Sequence, residues 1–281
     1  MRTPATEPVN SDSTGITVVI PAYNAAAFLR RTLDTVAAQR VQPDAIVVAD
    51  DGSSDETVAV AEAFAGAHRG CVVRVLREPH RGPGAARNAA VRAAKTEWVA
   101  FLDSDDLWEP DKIAVVQQAM LANRSANFFC HNQLIRFRDG TSRATDLAAD
   151  VDPRRPLPPQ LWQNNRFMTS AVVCRRELVT AAGGFDETLK SAQDYELWLR
   201  MSPQIVVVFI GRVLGQYIER RGNISTSRFW RQLRNLWRVK HRHRDKVSKL
   251  MYARVLMYAT LFHLAQPVVG PLKRRMQARG A

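Results

Sequence analysis

Residues 98–108 read Trp98-Val99-Ala100-Phe101-Leu102-Asp103-Ser104-Asp105-Asp106-Leu107-Trp108. Five apolar residues lead directly into three carboxylates within four positions. A short, uninterrupted apolar run is typical of a buried strand. The stretch therefore predicts a strand of an α/β sheet whose carboxyl end delivers acidic groups to a surface crevice.

Two interpretations of these acids stay open at this point. Carboxylates so close together repel one another unless a cation lies among them. A hard divalent ion such as Mg²⁺ or Mn²⁺, completed by phosphate oxygens of a substrate, prefers such oxygen ligands. Alternatively, Asp105 or Asp106 caps a helix that follows Pro110.

Strand and helix patterns alternate before this stretch. Apolar runs at 16–20, 45–49 and 71–76 precede the run at 98–102, and helical patterns separate them. This order predicts an α/β fold with an open, mainly parallel sheet flanked by helices. Ligands of such sheets bind beyond the carboxyl ends of strands. There the chain has three polar loops: Pro21-Ala22-Tyr23-Asn24, Asp50-Asp51-Gly52-Ser53 and the acids at 103–106.

Two loops of this first half carry further candidate groups. The loop at 50–53 is either a simple turn or a site where a carboxylate accepts a nucleobase N–H or a ribose hydroxyl. Gly82-x-Gly84 resembles a phosphate-binding turn at a helix N-terminus, but Arg87 stands where a dinucleotide fingerprint has its last glycine. The pattern argues against an NAD site and leaves Arg87 either near a phosphate or facing solvent.

The pattern changes in the second half of the chain. Strands are indicated at 128–137, 166–174 and 205–210. Asp194 and Glu196 lie at the start of a helical pattern, two residues apart, so their side chains diverge by roughly 200° and cannot both face inward. One of them is then free to act as a general base, or Asp194 is simply a helix cap.

The net charge of +13 is concentrated at the C-terminus. Residues 212–281 contain seventeen Lys and Arg and two acids, a local charge of +15. Residues 1–211 contain 23 basic and 25 acidic side chains, a charge of −2. A basic tail on a near-neutral body indicates an anionic partner.

The tail at 226–281 is predicted to be helical, basic and amphipathic. Its first part places five apolar side chains at helical spacing among arginines: Phe229, Trp230, Leu233, Leu236 and Trp237. This face either lies on an anionic membrane surface, packs on the domain or binds nucleic acid. The lack of any recognisable nucleic-acid-binding motif elsewhere argues against the last role.

Cysteine usage and the chain's N-terminal residues indicate a location. Cys71, Cys130 and Cys174 are widely spaced without a CxxC pair, which predicts reduced thiols. Residues 1–15 are polar, lack the apolar core of a secretory signal and are predicted to be disordered. We expect a cytoplasmic protein that is peripheral at the inner face of the cell membrane.

Six motifs in fixed order resemble the inverting family 2 glycosyltransferases. The resemblance covers roughly residues 16–226. Its motifs are Val-Val-Ile-Pro-Ala-Tyr-Asn at 18–24, Val-Ala-Asp-Asp-Gly-Ser-Ser-Asp at 48–55, Gly-Ala-Ala-Arg-Asn at 84–88, Phe-Leu-Asp-Ser-Asp-Asp at 101–106, Gly-Gly-Phe-Asp-Glu at 183–187 and Gln-Asp-Tyr-Glu-Leu-Trp-Leu-Arg at 193–200. Each motif is weak alone, and the set is specific.

The resemblance implies a fold of the GT-A type. Within a domain at 16–225, residues 16–125 would bind a nucleotide-diphosphate sugar and residues 126–225 would bind the acceptor. Pro21, Ala22 and Tyr23 would line the pocket for the donor's base, and Asp51, together with Asp50, would hold the base.

The resemblance also implies roles for the acids. Asp103 and Asp105 would form a DxD signature that binds Mg²⁺ or Mn²⁺, with Asp105 on the metal and Asp103 also toward the ribose or sugar. Ser104 and Arg87 would lie on the donor side, and Asp106 would serve the following helix. Asp194 would be the catalytic base.

The chain departs from the family pattern at two positions. Gln193 precedes Asp194 where the family often has Glu, and because the base is retained we expect activity to survive. Arg220 stands where many relatives have a His. Arginine can pair with a diphosphate but cannot ligate a metal.

The resemblance therefore implies a metal-dependent inverting transferase that moves a sugar onto a hydroxyl acceptor. The basic tail suggests that this acceptor is lipid-linked or membrane-held, as in polysaccharide or glycolipid synthesis. Two alternatives are a nucleotidyltransferase, which would release pyrophosphate, and an inactive scaffold that binds sugar nucleotides.

Overall fold

The computed structural model of the chain describes residues 14–149, 151–220 and 229–257. Its strands are β1 Ile16–Ala22, β2 Ala45–Asp50, β3 Val72–Arg77, β4 Trp98–Phe101, β5 Leu107–Trp108, β6 Phe128–Arg136, β7 Ser142–Ala144, β8 Val172–Arg175 and β9 Val207–Ile218. Its α-helices are α1 Ala26–Ala37, α2 Thr57–Ala67, α3 Pro83–Ala93, α4 Lys112–Ala122, α5 Leu157–Gln163, α6 Arg176–Ala181, α7 Gln193–Met201 and α8 Phe229–Arg242. A 3-10 turn occupies Thr169–Ala171, and residues 249–257 are helical.

One mixed sheet joins these strands in the order β3-β2-β1-β4-β8-β6-β9-β5, with β7 paired to β6. The pairs β1–β2, β1–β4 and β2–β3 are parallel, as the alternation of strands and helices predicts. Strand β8 runs antiparallel to both β4 and β6, so the second half of the sheet is mixed. Because β4 and β8 are hydrogen-bonded neighbours, a single sheet spans both predicted halves of the domain.

The core lies on both faces of the sheet. Alternate residues of each strand point to opposite faces. Val18 and Ile20 pack toward α1, α2 and α4, whereas Val19 packs toward α3, α5 and α7. Every residue of β1 is buried, which explains why this β-branched run forms a central strand.

Helix α7 is anchored by Trp198, which is fully buried. Its ring meets four phenylalanine rings edge-on at centroid distances of 5.4–6.3 Å: Phe101, Phe128, Phe167 and Phe185. Truncating such a residue to alanine costs about 3–5 kcal/mol. This packing holds α7 against the end of β4.

The first part of the basic tail packs on the domain. In α8, Val239 is buried in the core, and Lys240 donates its ammonium to the Trp162 carbonyl at 2.7 Å. The Trp162 indole N–H donates to the Lys240 carbonyl at 2.9 Å, and Asn235 donates to Ser191 at 2.8 Å. Asn235, Val239 and Lys240 of α8 therefore pack on the domain, while Arg234 and Arg238 stay exposed.

Several boundaries differ from the sequence prediction. The predicted strand at 166–174 is interrupted by the turn Thr169–Ala171, and β8 begins only at Val172. Strand β9 extends well beyond the predicted 205–210 because it pairs along the whole length of β6. The three cysteines are free thiols, as predicted.

Parts of the predicted termini lie outside the described residues. These are 1–13 of the segment predicted to be disordered, and 226–228 and 258–281 of the tail. Across the described ranges, no helix combines the length and hydrophobicity that a bilayer span requires.

Candidate active site

The three predicted polar loops lie together at one edge of the sheet. Strands β2, β1 and β4 are parallel neighbours, so their carboxyl ends meet there. Ala22 is paired with Asp50, and the Leu102 N–H donates to the Val19 carbonyl at 3.0 Å. Pro21 and Ala22 are buried within β1 itself, and Tyr23 is the first exposed residue beyond them.

Tyr23 and His80 form an aromatic stack at this edge. Their ring centroids lie 4.2 Å apart with an interplanar angle of 23°. The Tyr23 side chain is 48% exposed, so its ring is accessible to a ligand. A flat aromatic surface beside buried carboxylates suits a nucleobase, which stacks on such rings and donates N–H groups.

Asp51 lies beneath this stack and is almost fully buried. Its carboxylate accepts the backbone N–H of Arg81 at 2.8 Å and that of Gly82 at 2.9 Å. His80 Nδ1 lies 2.9 Å from the same carboxylate and 3.0 Å from the Asp51 carbonyl. Because both neighbours accept hydrogen bonds, Nδ1 carries the proton.

Asp50 is also buried, and its carboxylate turns back on its own loop. It accepts the Ser53 backbone N–H at 3.0 Å and the Ser53 hydroxyl. The structure therefore uses Asp50 to shape the loop and Asp51 to join this loop to residues 80–82. His80 was not anticipated from the sequence, because no spacing rule relates it to Tyr23 or Asp51.

The Gly-Ala-Ala-Arg-Asn motif begins helix α3. Gly82, with φ of 105°, precedes Pro83 at the first helical position, which makes a sharp entry into the helix. Further along, Asn88 accepts the Phe185 N–H at 2.7 Å and donates to the Phe185 carbonyl at 2.9 Å. Gly184 directly precedes Phe185, and a Cβ on Gly184 would lie 2.5 Å from the Asn88 side-chain oxygen. Glycine at this position therefore allows Asn88 to approach the backbone closely.

Each of the two DxD acids is paired with an arginine. Arg87, with a side chain only 9% exposed, donates to Asp103 at 2.5 Å. Arg220 forms an ion pair with Asp105. The Ser104 carbonyl between them accepts the Thr32 hydroxyl of α1 at 2.9 Å. The predicted residues Arg87, Asp103, Asp105 and Arg220 are therefore all brought together.

The donor set at this loop fits a divalent ion. Carboxylate oxygens are what Mg²⁺ and Mn²⁺ prefer, and Mg²⁺ usually takes one or two carboxylates plus substrate phosphates. Asp103 and Asp105 have side chains 32% and 24% exposed, so both remain accessible. Among the described residues, no group of three or more His, Cys, Asp or Glu side chains could hold a metal by itself.

Asp106 does not cap a helix, and that interpretation is wrong. Helix α4 begins at Lys112 without a side-chain cap. Asp106 is buried and accepts the Ser170 hydroxyl at 2.6 Å. Burial, reinforced by the negative charge of Asp103, raises the pKa of Asp106 to about 8. Its charge instead acts on the buried Lys112 at the start of α4, whose positive charge lowers the pKa of Asp106.

Asp194 stands at the start of α7 and is only partly buried. It follows Ala192, whose φ of 59° turns the chain sharply into the helix. One carboxylate oxygen accepts the Thr169 hydroxyl at 2.9 Å. The other oxygen accepts the Tyr195 backbone N–H at 2.7 Å. The carboxylate is thus held in one orientation while it remains accessible to a ligand.

Glu196 points the other way, as the helical spacing predicts. Its side chain is 1% exposed and pairs with Arg200 at 2.6 Å and with His243 at 3.2 Å. Although burial raises the pKa of Glu196, hydrogen bonds from His243 and Arg200 lower it below its usual value. Glu196 therefore binds the C-terminal segment to α7, and Asp194 is the acid left for chemistry.

A family assignment follows from comparison with known proteins. The sequence profile described as glycosyl transferase family 2 matches residues 17–179, more than half of the chain. The chain belongs to this family.

Curated relatives of this family 2 chain are longer than the chain itself. The pre-mycofactocin glycosyltransferase of Mycobacterium tuberculosis is 33% identical over 196 residues, which cover 66% of this chain and 38% of the relative. The succinoglycan biosynthesis protein ExoO of Rhizobium meliloti is 32% identical over 192 residues, which cover 65% of this chain and 54% of the relative. The chain thus spans about half the length of these relatives, or less.

Solved structures confirm the predicted GT-A fold of the family 2 chain. S. aureus TarS 1–349 in complex with UDP-GlcNAc matches with a TM-score of 0.64 at 20% identity, covering 80% of this chain and 66% of that one. The mannosyltransferase PcManGT from Pyrobaculum calidifontis, in complex with GDP-Man and Mn²⁺, matches with a TM-score of 0.56 at 20% identity, covering 88% and 79%.

Proposed function

We propose that this family 2 chain transfers a sugar from a nucleotide-diphosphate sugar to a hydroxyl acceptor with inversion at the anomeric carbon. The observation that carries the proposal is that the adjacent residues Thr169 and Ser170 are hydrogen-bonded to Asp194 and to the acidic loop, respectively. A single displacement requires acids that bind the donor and one oriented, accessible carboxylate that acts as base. Family membership supports the class of reaction.

The donor's base would bind at the edge formed by Tyr23 and Asp51. Stacking on Tyr23 supplies affinity for any base, and the Asp51 carboxylate would accept a base N–H in exchange for that of His80. TarS has been crystallised with UDP-GlcNAc and PcManGT with GDP-Man, which supports a nucleotide-sugar donor here.

The diphosphate would lie between β4 and the start of α3. Arg87 and Arg220 already reach this space and can pair with phosphate oxygens. Asp105, with Asp103, would hold a divalent ion that neutralises charge on the leaving diphosphate when bound. The solved structure of PcManGT in complex with GDP-Man and Mn²⁺ supports this assignment.

Asp194 would act as the general base. Its carboxylate would accept the proton of the acceptor hydroxyl as that oxygen attacks the anomeric carbon. The hydrogen bonds from Thr169 and the Tyr195 N–H hold this carboxylate in one orientation. No other acid of α7 can replace it, because Glu196 is committed to Arg200 and His243.

We also propose that the acceptor is lipid-linked or otherwise held at an anionic membrane surface. The described part of the C-terminal segment exposes arginines and lysine, among them Arg234, Arg238, Lys249 and Arg254. Beside them Leu250, Leu256 and Met257 are 62%, 45% and 60% exposed. Exposed basic and apolar side chains in one segment suit the interface of an anionic bilayer.

Replacing Asp194 with Asn tests the proposed reaction. The purified chain is first screened by thermal shift with UDP-, GDP- and dTDP-sugars in the presence of Mn²⁺, because a donor bound far above its Kd stabilises the fold measurably. Release of nucleoside diphosphate is then followed with the stabilising donor. Asp194→Asn should bind this donor as the wild type does and lose transfer by roughly 100-fold or more.

The same assay separates the alternatives. Release of pyrophosphate from a nucleoside triphosphate would identify a nucleotidyltransferase. Donor binding without any turnover in the wild type would identify a binding scaffold. Full transfer by Asp194→Asn would show that the base has been assigned wrongly.

A further inference from the structure

The dipeptide Thr169-Ser170 makes hydrogen bonds to both halves of the candidate site. Resting on the proposed function, we infer that Thr169 and Ser170 are positioning residues that set where the base Asp194 lies relative to the donor loop. Neither residue belongs to a motif that the sequence singles out. Their role follows from contacts that only the folded chain creates.

Thr169 acts on the base. Its hydroxyl donates to Asp194 Oδ2 at 2.9 Å, and the Thr169 side chain is largely buried. The Tyr195 N–H fixes the other carboxylate oxygen at 2.7 Å. With two donors on two oxygens, the plane of the carboxylate is fixed. Loss of the Thr169 hydroxyl would leave Asp194 free to rotate about its side-chain bonds.

Ser170 acts on the donor loop. Its hydroxyl oxygen accepts the Asp103 backbone N–H at 3.0 Å and donates its hydrogen to Asp106 at 2.6 Å. Both contacts fall within the acidic loop, at its first and last acids. The hydroxyl therefore holds the ends of the loop together and sets the direction in which Asp103 and Asp105 project.

The dipeptide is itself immobilised. The Ser170 carbonyl accepts the Trp108 indole N–H at 3.1 Å and the Lys112 ammonium at 3.0 Å. Lys112 is fully buried, and its nitrogen lies 3.4 Å from the centre of a Trp108 ring. Three residues after Ser170, Val173 pairs with Ala100 of β4. The contacts to Asp194 and to the acidic loop thus start from adjacent Cα atoms on a rigid segment.

An in-line displacement requires a fixed position of the base relative to the donor loop. The acceptor oxygen must approach the anomeric carbon opposite the leaving diphosphate, and a misplacement of about 1 Å can reduce the rate roughly 100-fold. Adjacent Cα atoms are held about 3.8 Å apart by the peptide bond, so the two contacts cannot drift independently. The dipeptide therefore works as a spacer between the two groups.

Two substitutions separate the two contacts. Thr169→Val keeps the shape and removes the hydroxyl, and it should lower kcat about 10- to 100-fold while changing the donor KM by less than about twofold. Thr169→Ser restores the hydroxyl and should recover most of the lost kcat. Ser170→Ala should act on the donor side, raising the donor KM and weakening UDP or GDP binding by calorimetry several-fold.

Matched controls lie elsewhere in the chain. Thr180→Val removes an exposed threonine hydroxyl that donates only to carbonyls of α6. Ser202→Ala removes a buried serine hydroxyl that donates to the Leu199 carbonyl at 2.8 Å. Both controls should leave kcat, KM and nucleotide affinity as in the wild type, whatever they do to the melting temperature.

The inference is overturned if Thr169→Val retains wild-type kcat, if Thr169→Ser fails to recover it, or if Ser170→Ala binds nucleotide as tightly as the wild type. It is also overturned if both variants only lower the melting temperature. A wild type without turnover would instead refute the proposed function. In that case UDP and GDP binding by Ser170→Ala, against Ser202→Ala, still decides the role of Ser170.

Discussion

Arg220 forms an ion pair with Asp105, and the same guanidinium lies over the ring of Phe28 with its central carbon 3.5 Å from the ring centroid. Arg220 occupies the place of the histidine expected from the family resemblance. It brings a fixed positive charge to the acid that is proposed to hold a metal. A divalent ion and Arg220 therefore compete for one carboxylate.

This competition predicts that Arg220→Gln binds Mn²⁺ more tightly than the wild type when no nucleotide is present. Removing the guanidinium frees Asp105, and we expect an increase of a few-fold, as for loss of a partly exposed ion pair of about 1 kcal/mol. Free Mn²⁺ can be followed by electron paramagnetic resonance. Arg212→Gln, which breaks the exposed pair with Asp111, is the control. Equal affinities of Arg220→Gln and the wild type would contradict the competition.

Tyr23→Ala should weaken binding of nucleoside diphosphates. Base–aromatic stacking contributes about 1–3 kcal/mol, so the Kd should rise roughly 5- to 150-fold. Tyr23→Phe keeps the ring and should stay near the wild type. Isothermal titration with UDP and GDP measures the effect. If Tyr23→Ala bound UDP and GDP as tightly as the wild type, the nucleobase would not bind at this edge of the sheet.

Asp186 is predicted to make the free energy of unfolding depend on pH in the acidic range. Burial raises the pKa of Asp186, but hydrogen bonds from Thr188 and Arg242 outweigh it and bring the pKa to about 2. Because the unfolded pKa is near 3.9, the stabilisation is complete above about pH 4 and is lost as the pH falls toward 2. It amounts to about 2 kcal/mol at neutral pH.

Urea unfolding of Asp186→Asn and the wild type checks this dependence. The variant should be less stable at pH 7, and the difference should disappear as the pH approaches 2. Arg242 donates to Asp186 at 2.6 Å, so Arg242→Gln should show part of the same loss, and the double variant should lose less than the sum. If the difference in stability between Asp186→Asn and the wild type did not change with pH, ionisation of the Asp186 carboxylate would not be its cause.

Binding to anionic vesicles should depend on the exposed arginines of α8. Truncation of the tail is unsuitable, because Val239 and Lys240 are buried in the domain. The double variant Arg234→Gln/Arg238→Gln should bind vesicles containing phosphatidylglycerol roughly tenfold or more weakly, at about 1 kcal/mol per arginine near the surface. Co-sedimentation at low and high salt measures this binding. An electrostatic contribution should weaken with salt, because the Debye length falls from about 10 Å at 0.1 M to about 3 Å at 1 M.

Arg31→Gln/Arg40→Gln is the control for the vesicle experiment. It makes the same change of charge at exposed arginines of α1 and the turn after it, and α1 covers the opposite face of the sheet from α8. It should bind as the wild type does. An equal loss of vesicle binding in both double variants would show that only the net charge matters. No loss of binding in either would contradict the proposed membrane association.

The sequence by itself determined the parallel half of the sheet and the loops that carry its chemistry. Apolar runs such as 98–102 are local patterns, and the carboxyl ends of parallel strands meet at one edge wherever such strands pair. The placement of Tyr23, Asp51 and Asp103 near one another therefore follows from local signals. The opposite directions of Asp194 and Glu196 likewise follow from the period of a helix.

Only the tertiary structure decided which groups each acid meets. Asp106 is a neighbour of Asp105 in sequence, yet it is buried with Ser170 because β8 enters the sheet antiparallel beside β4. The stack of His80 on Tyr23 and the ion pair of Arg220 with Asp105 also join distant parts of the chain. Such contacts depend on how strands of the second half pair, and strand pairing is a property of packing that no local spacing records.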